Sequence, residues 1–105
     1  MENQKIDVIY APKAKSSINK IAAYIEEKGY PETAEKFINK LYDFGNSLAV
    51  YRQAYPVCRQ PRFAKRGMHC AVFHKDYIFV YKLVKKELII YNIIHCNTNP
   101  VFHTV

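Results

Sequence analysis

Hydrophobic and polar positions along the chain follow two rhythms, one near two residues and one near three and a half. KIDVIY (residues 5–10) sets Ile6, Val8 and Tyr10 against Lys5, Asp7 and Ile9, which predicts a first strand ended by Pro12. From Ser16 or Ser17 the rhythm lengthens. Ile18, Ile21, Ala22 and Ile25 fall at i, i+3, i+4 and i+7, one apolar stripe of a helix, and Gly29 suits its left-handed C-terminal cap. Pro31 fits the first turn of a second helix, with Glu32 and Glu35 near its positive end. Ala34, Phe37, Ile38, Leu41, Phe44 and Leu48 form its stripe. The short link around Gly29 and Tyr30 makes the pair an antiparallel helical hairpin.

Residues 51–67, YRQAYPVCRQPRFAKRG, have no period and are broken by Pro56, Pro61 and Gly67. They predict a long surface connection, a feature that is often functional in so small a chain. Three strands follow: MHCAVF (68–73), YIFVYKL (77–83) and ELIIYNIIH (87–95), joined by short turns at HKD and VKK. Strict alternation in the last strand puts Leu88, Ile90, Asn92 and Ile94 on one face and Ile89, Tyr91, Ile93 and His95 on the other. Apolar residues on both faces imply central strands covered twice, by the helices and by a partner chain. The order β-α-α-β-β-β gives an α+β fold class: a two-helix hairpin packed on a mainly antiparallel four-stranded sheet whose other face is partly open. The first strand is expected beside the last strand or at an edge.

Composition narrows the class. The chain has 105 residues, half of them hydrophobic, which fits one domain over 1–105 with a modest core. Low-complexity segments and internal repeats are absent from the sequence. MENQKIDVIYAPKAK has no long apolar stretch, so a signal peptide, a membrane span and a membrane partner are not expected and a cytoplasmic location is. Cys58, Cys70 and Cys96 make an odd number without a C-x-x-C pair, so reduced thiols are expected rather than a disulfide framework.

Charge changes the picture more. Residues 1–50 balance to zero, so the whole net charge of +7 sits in residues 51–105. Such asymmetry suggests an acidic partner: nucleic acid, a ribosome or an acidic protein segment.

AAYIEEKGYPETAEKFINKL (22–41) and DYIFVYKLVKKELIIYNIIHCNTNP (76–100) carry a family likeness. In order and spacing they resemble the RelE/ParE toxin superfamily, on its ParE-like side: a "YI" helix end, a turn, an "AEKF" helix, then aromatic-rich and apolar strands ending in an N-P corner. The resemblance covers nearly all of the chain. It implies a small bacterial toxin of a type II toxin–antitoxin system, involved in growth inhibition or plasmid stabilization, held in a hetero-oligomer by a cognate antitoxin. The implied target is DNA gyrase for ParE-like members, or the ribosome and its mRNA for RelE-like endonucleases. Many relatives carry an arginine two or three residues before the corner, where this chain has Asn97 and Thr98. The arginine entering the second strand is replaced by His69, and YIFVY has none. The arginines of the nuclease branch are therefore largely missing, unless Arg66 or its loop replaces them, and the balance moves towards a binding function.

Candidate chemistry follows from these residues. Metal-free RNA cleavage needs a base, an acid and cations on the phosphate. His95, Arg66 and His69 are the catalytic candidates, with His74 and His103 able to titrate in the same range. Arg59, Arg62, Lys65, Lys75, Tyr91, Asn97 and Thr98 are candidates for holding a target or an antitoxin, through phosphate or carboxylate contacts and stacking. Tyr77 offers a second stacking ring. No cofactor is expected. The HC pairs at 69–70 and 95–96 bring zinc to mind, yet neighbouring strand residues face opposite ways and the usual ligand spacings are missing, so no metal is expected.

Overall fold

The computed structural model describes residues 6–29, 31–50 and 55–95. Strand β1 (Asp7–Tyr10) leads through Ala11 into helix α1 (Pro12–Glu27), and α2 (Pro31–Ser47) returns antiparallel to it. A short helix α3 (Pro61–Ala64) precedes strands β2 (His69–Phe73), β3 (Tyr77–Val84) and β4 (Glu87–His95). The four strands form one sheet in the order β1-β4-β3-β2. β1 is an edge strand and runs parallel to β4, while the β2–β3 and β3–β4 pairs are antiparallel.

Two stretches differ from the sequence reading, each for a physical reason. Helix α1 begins at Pro12, not at Ser16 or Ser17. Proline lacks the N–H that a first helical position leaves unused, so the residue that ends the strand also starts the helix. That places Ala14 in the core, one turn before Ile18. The 51–67 segment is not purely a surface connection either: Pro61 opens α3 and Phe63 is buried. Gly29 takes a left-handed conformation, φ 86°, as the capping expectation required.

Two cores flank the sheet. Between sheet and hairpin lie Ala14 and Ile18 of α1, Leu41 of α2, Leu48 in the turn just after it, and Ala71, Phe79, Tyr81, Leu88, Ile90 and Ile93 of the strands. On the far face Ile78, Val80 and Ile94 pack with Cys58, Phe63 and Met68. The far face is thus covered by the chain's own 55–68 segment, which corrects the expectation that a partner chain would cover it. That segment is tied down in four ways. Cys58 and Cys70 form a disulfide, which corrects the expectation of reduced thiols. The Cys58 N–H donates to the Met68 carbonyl at 2.8 Å, the Cys70 N–H donates to the Pro56 carbonyl at 3.3 Å, and Val57 bridges His69.

The alternation of β4 breaks once. Val80 faces Asn92, but the next residue, Tyr81, faces Ile90, so Tyr91 is an extra residue in the ladder. Such a bulge re-aims everything beyond it. Ile93 therefore turns to the helix side and Ile94 to the far side, the reverse of strict alternation. Asn92 holds the bulge. Its Oδ1 accepts from the Ile93 N–H at 2.8 Å and from the Ser17 hydroxyl of α1 at 2.6 Å.

Candidate functional site

β4 carries two of the candidates, Tyr91 and His95, four residues apart. A regular strand would set them on one face. The bulge separates them, which corrects the shared face expected from the sequence.

His95 stands on the helix side. Its ring stacks on Tyr77 with centroids 4.7 Å apart and an interplanar angle of 20°. Together they line a mostly apolar cavity of about 230 Å³ with Lys20, Ile21 and Tyr24 of α1. Burial, then the charge of Asp76 and the neighbouring Tyr24, push the Tyr77 phenol up.

Tyr91 stands elsewhere, among cations. The Arg66 guanidinium carbon lies 5.2 Å from its ring centroid and the Lys13 Nζ lies 5.6 Å from it. A hydrogen bond from Arg66 is the largest influence on its phenol, followed by the charges of Lys13 and Arg66, and together they hold the hydroxyl below its usual pKa. Arg62 adds a weaker pull in the same direction. Lys13, Arg62, Phe63, Arg66, Tyr91, Asn92 and Ile94 line a polar cavity of about 300 Å³.

Local folding sets these cations. Lys13 is the second residue of α1, a position fixed by the Pro12 start. Arg62 and Arg66 flank the end of α3, whose turn closes through Ala64 N–H to Gln60 O at 2.8 Å and Lys65 N–H to Pro61 O at 2.9 Å. Phe63 anchors that turn in the far core, with the Arg62 guanidinium 4.7 Å over its ring.

The other candidates scatter. His69 is half-buried, its Nδ1 2.8 Å from the Tyr55 carbonyl and its ring stacked on Tyr81 at 5.4 Å. It stitches the 55–68 segment to the sheet. Arg59 borders a separate cavity beside the disulfide, with Val57, Val72 and Ile78. Lys65 caps α3 and is exposed. His74 and Lys75 form the β2–β3 turn with φ of 56° and 66°, and the His74 ring packs 5.8 Å from Phe37. Asn97, Thr98 and His103 lie outside the described residues. Among the described residues no group of three or more His, Cys, Asp or Glu converges to hold a metal ion, and no helix is long and apolar enough to cross a membrane.

The structure thus brings Arg62, Arg66 and Tyr91 together and leaves His95 in a different cavity. Sequence reasoning missed Lys13 and the role of Asn92. Pro12 followed directly by Lys13 was the available signal, since proline favours a first helical turn.

A two-helix hairpin on one face of a mixed sheet, with a basic flap folded over the other, defines a small basic α+β protein of the toxin type that the sequence resembles. The model of the family "ParE toxin of type II toxin-antitoxin system, parDE" matches residues 8–100, and the chain belongs to that family. Its fold is similar to that of a chain from the "Chromosomal ParDE TA system from P. aeruginosa", with a TM-score of 0.74 and 16% identity over 89% of this chain and 98% of that one. At that identity the likeness is one of fold. No curated protein matches the chain.

Proposed function

We propose that this chain, as one toxin domain over 1–105, is the toxin of a type II toxin–antitoxin system that arrests growth by binding an essential target. The target is gyrase or the translation machinery, and a cognate antitoxin neutralises the toxin in a hetero-oligomer. Membership of the ParE family over residues 8–100 supports the system type. The observation that favours binding over RNA cleavage is the separation of His95 from Arg66. In RNA cleavage the base must reach a 2′-hydroxyl while the cation reaches the phosphate that this hydroxyl attacks, so both must converge on one linkage. Here the imidazole stacks on Tyr77 beside α1, while the guanidinium sits over Tyr91 in a different cavity. The imidazole on β2, His69, is already engaged with Tyr55 and Tyr81. The net charge of +7 on residues 51–105 suits an antitoxin with an acidic segment.

Induced expression should arrest growth, and co-expression of the neighbouring reading frame should restore it. Purified protein should then inhibit gyrase supercoiling or bind ribosomes without cutting mRNA. Cleavage of mRNA on purified ribosomes that disappears in His95→Ala would replace binding with the endonuclease reading.

A further inference from the structure

The toxin reading assigns no ligand to the cavity around Tyr91. Three segments distant in sequence meet there: the first turn of α1 through Lys13, the α3 region through Arg62 and Arg66, and the bulge of β4 through Tyr91 and Asn92. Each is fixed by something other than the cluster. Pro12 starts the helix, Phe63 is buried beneath α3, and Asn92 holds the bulge through Ile93 and Ser17. Bulges commonly re-aim a side chain beside a functional site. At this one the Tyr91 phenol meets cations at the margin of the far core.

We propose that Lys13, Arg62, Arg66 and the Tyr91 hydroxyl form a receptor for a terminal phosphoryl group, a phosphate monoester.

The charge count selects the ligand. Three cations converge, and the first turn of α1 adds the positive end of a 16-residue helix that has no acidic residue and no side-chain cap there. A phosphate monoester carries about −1.5 to −2 at neutral pH. A diester in a nucleic-acid backbone or a single carboxylate carries about −1 and leaves most of that charge uncompensated. The donors suit a phosphoryl group as well. Two guanidinium forks, an ammonium and a phenol can meet three oxygens from several sides. A concave space of about 300 Å³ accepts the end of a molecule more readily than the middle of a chain. The phosphoryl group could come from a free nucleotide or from the 5′ end of a nucleic acid. The inference does not depend on which cellular target the toxin has.

The test is calorimetric titration of the purified full chain with adenosine 5′-monophosphate, with adenosine as the control that lacks the phosphate. The monophosphate should bind and adenosine should not. Arg66→Ala and Lys13→Ala should each weaken binding about tenfold or more, the scale of a lost charged hydrogen bond. Both residues are exposed, so their loss should leave the thermal midpoint in place. Arg66→Lys keeps the charge without the fork and should fall between wild type and Arg66→Ala. Lys40→Ala, an exposed lysine of α2, should match wild type. A 5′-phosphorylated oligonucleotide that binds more tightly than the mononucleotide, with the same dependence on Arg66, identifies a nucleic-acid end as the source. Equal affinity identifies a free nucleotide. Any of these results overturns the proposal: no binding of the monophosphate in the millimolar range, binding unchanged by Arg66→Ala and Lys13→Ala, or a 5′-hydroxyl oligonucleotide binding as well as the phosphorylated one. A glutamate-rich peptide that displaces the monophosphate at lower concentration also overturns it, since the site would then be one for carboxylates.

Discussion

Asn92→Ala removes the acceptor that holds the β4 bulge. Two hydrogen bonds end on its Oδ1, from the Ile93 N–H at 2.8 Å and from the Ser17 hydroxyl at 2.6 Å. They are not equivalent. Ile93 is buried, and without an acceptor its N–H bears a desolvation cost of about 1–3 kcal/mol. Ser17 is half-buried at the sheet-facing side of α1 and can turn towards water, so its bond is worth about 0.5–1.5 kcal/mol. The sum, about 1.5–4.5 kcal/mol, should lower the midpoint by about 6 °C or more in thermal unfolding followed by circular dichroism. Ser17→Ala should cost only the smaller share. In the Ser17→Ala background Asn92→Ala should cost correspondingly less, because the two residues share one bond. Asn92→Asp keeps the acceptor and should stay close to wild type. Hydrogen exchange at Ile93 reads the larger share directly. If Asn92→Ala costs no more than Ser17→Ala, or if the Ile93 amide is equally protected without Asn92, the side chain does not hold the bulge and the reasoning fails. Because the bulge presents Tyr91, the same variant should also weaken binding of adenosine 5′-monophosphate.

Three further outcomes follow from the packing and the cross-link. Gly45 lies where α2 meets the sheet, and a methyl there would run into the Tyr10 hydroxyl and come within 3.0 Å of Ile90 Cδ1. Overpacking of about 1–3 kcal/mol should exceed the helix-propensity gain of about 1 kcal/mol, so Gly45→Ala should lower the midpoint, less so in a Tyr10→Phe background, and a stabilised variant would refute the close approach. The Cys58–Cys70 disulfide closes a loop with a sequence separation of 12, worth about 3 kcal/mol by loop entropy. Reductant and the Cys58→Ser/Cys70→Ser pair should lower the midpoint alike, whereas three free thiols in the unreduced, unfolded chain would disprove the bond. Tyr10 and Tyr81 are pushed up to about 12 by burial. Between about pH 10, where unfolded tyrosine titrates, and about pH 12 the folded state holds protons that the unfolded state releases, so stability present below pH 10 should drain away as pH rises through that window. An unfolding free energy that stays flat from pH 9 to about pH 12, by denaturant titration, would contradict that assignment.

Much of the fold was legible because its signals were redundant. The α2 stripe from Ala34 to Leu48 repeats at helical spacing, Pro31 starts it, and Gly29 caps the helix before it. The last hairpin combines β-branched and aromatic residues with a tight turn in which Lys85 takes φ of 57°. The errors arose where one residue serves two elements or where a bond joins distant residues. Pro12 ends a strand and opens a helix, and only the second role places Lys13 in the site. The segment before β2 has no period because it is held by single anchors, Phe63 and the Cys58–Cys70 bond, and not by a repeating face. An odd cysteine count gives no way to tell that two of three sulfurs meet.

The bulge was the least legible feature and the most consequential. ELIIYNIIH is apolar on both faces, because one face packs on the helices and the other on the 55–68 segment. A strand apolar on both sides carries no mark of the position where its alternation slips, since either phase buries isoleucines. The slip nevertheless decides which side chains can act together. In phase, Tyr91 and His95 would share a face and one site could combine imidazole, phenol and the flap's arginines. With one extra residue at Tyr91, His95 goes to the helix side and stacks on Tyr77, while Tyr91 meets Lys13 and Arg66 in another cavity. The polar residue inside the apolar run, Asn92, was the available clue. An asparagine within such a run needs partners for its amide, and a free strand N–H beside a bulge supplies one. The insertion that disperses a nuclease-like constellation therefore leaves the cationic one without an imidazole.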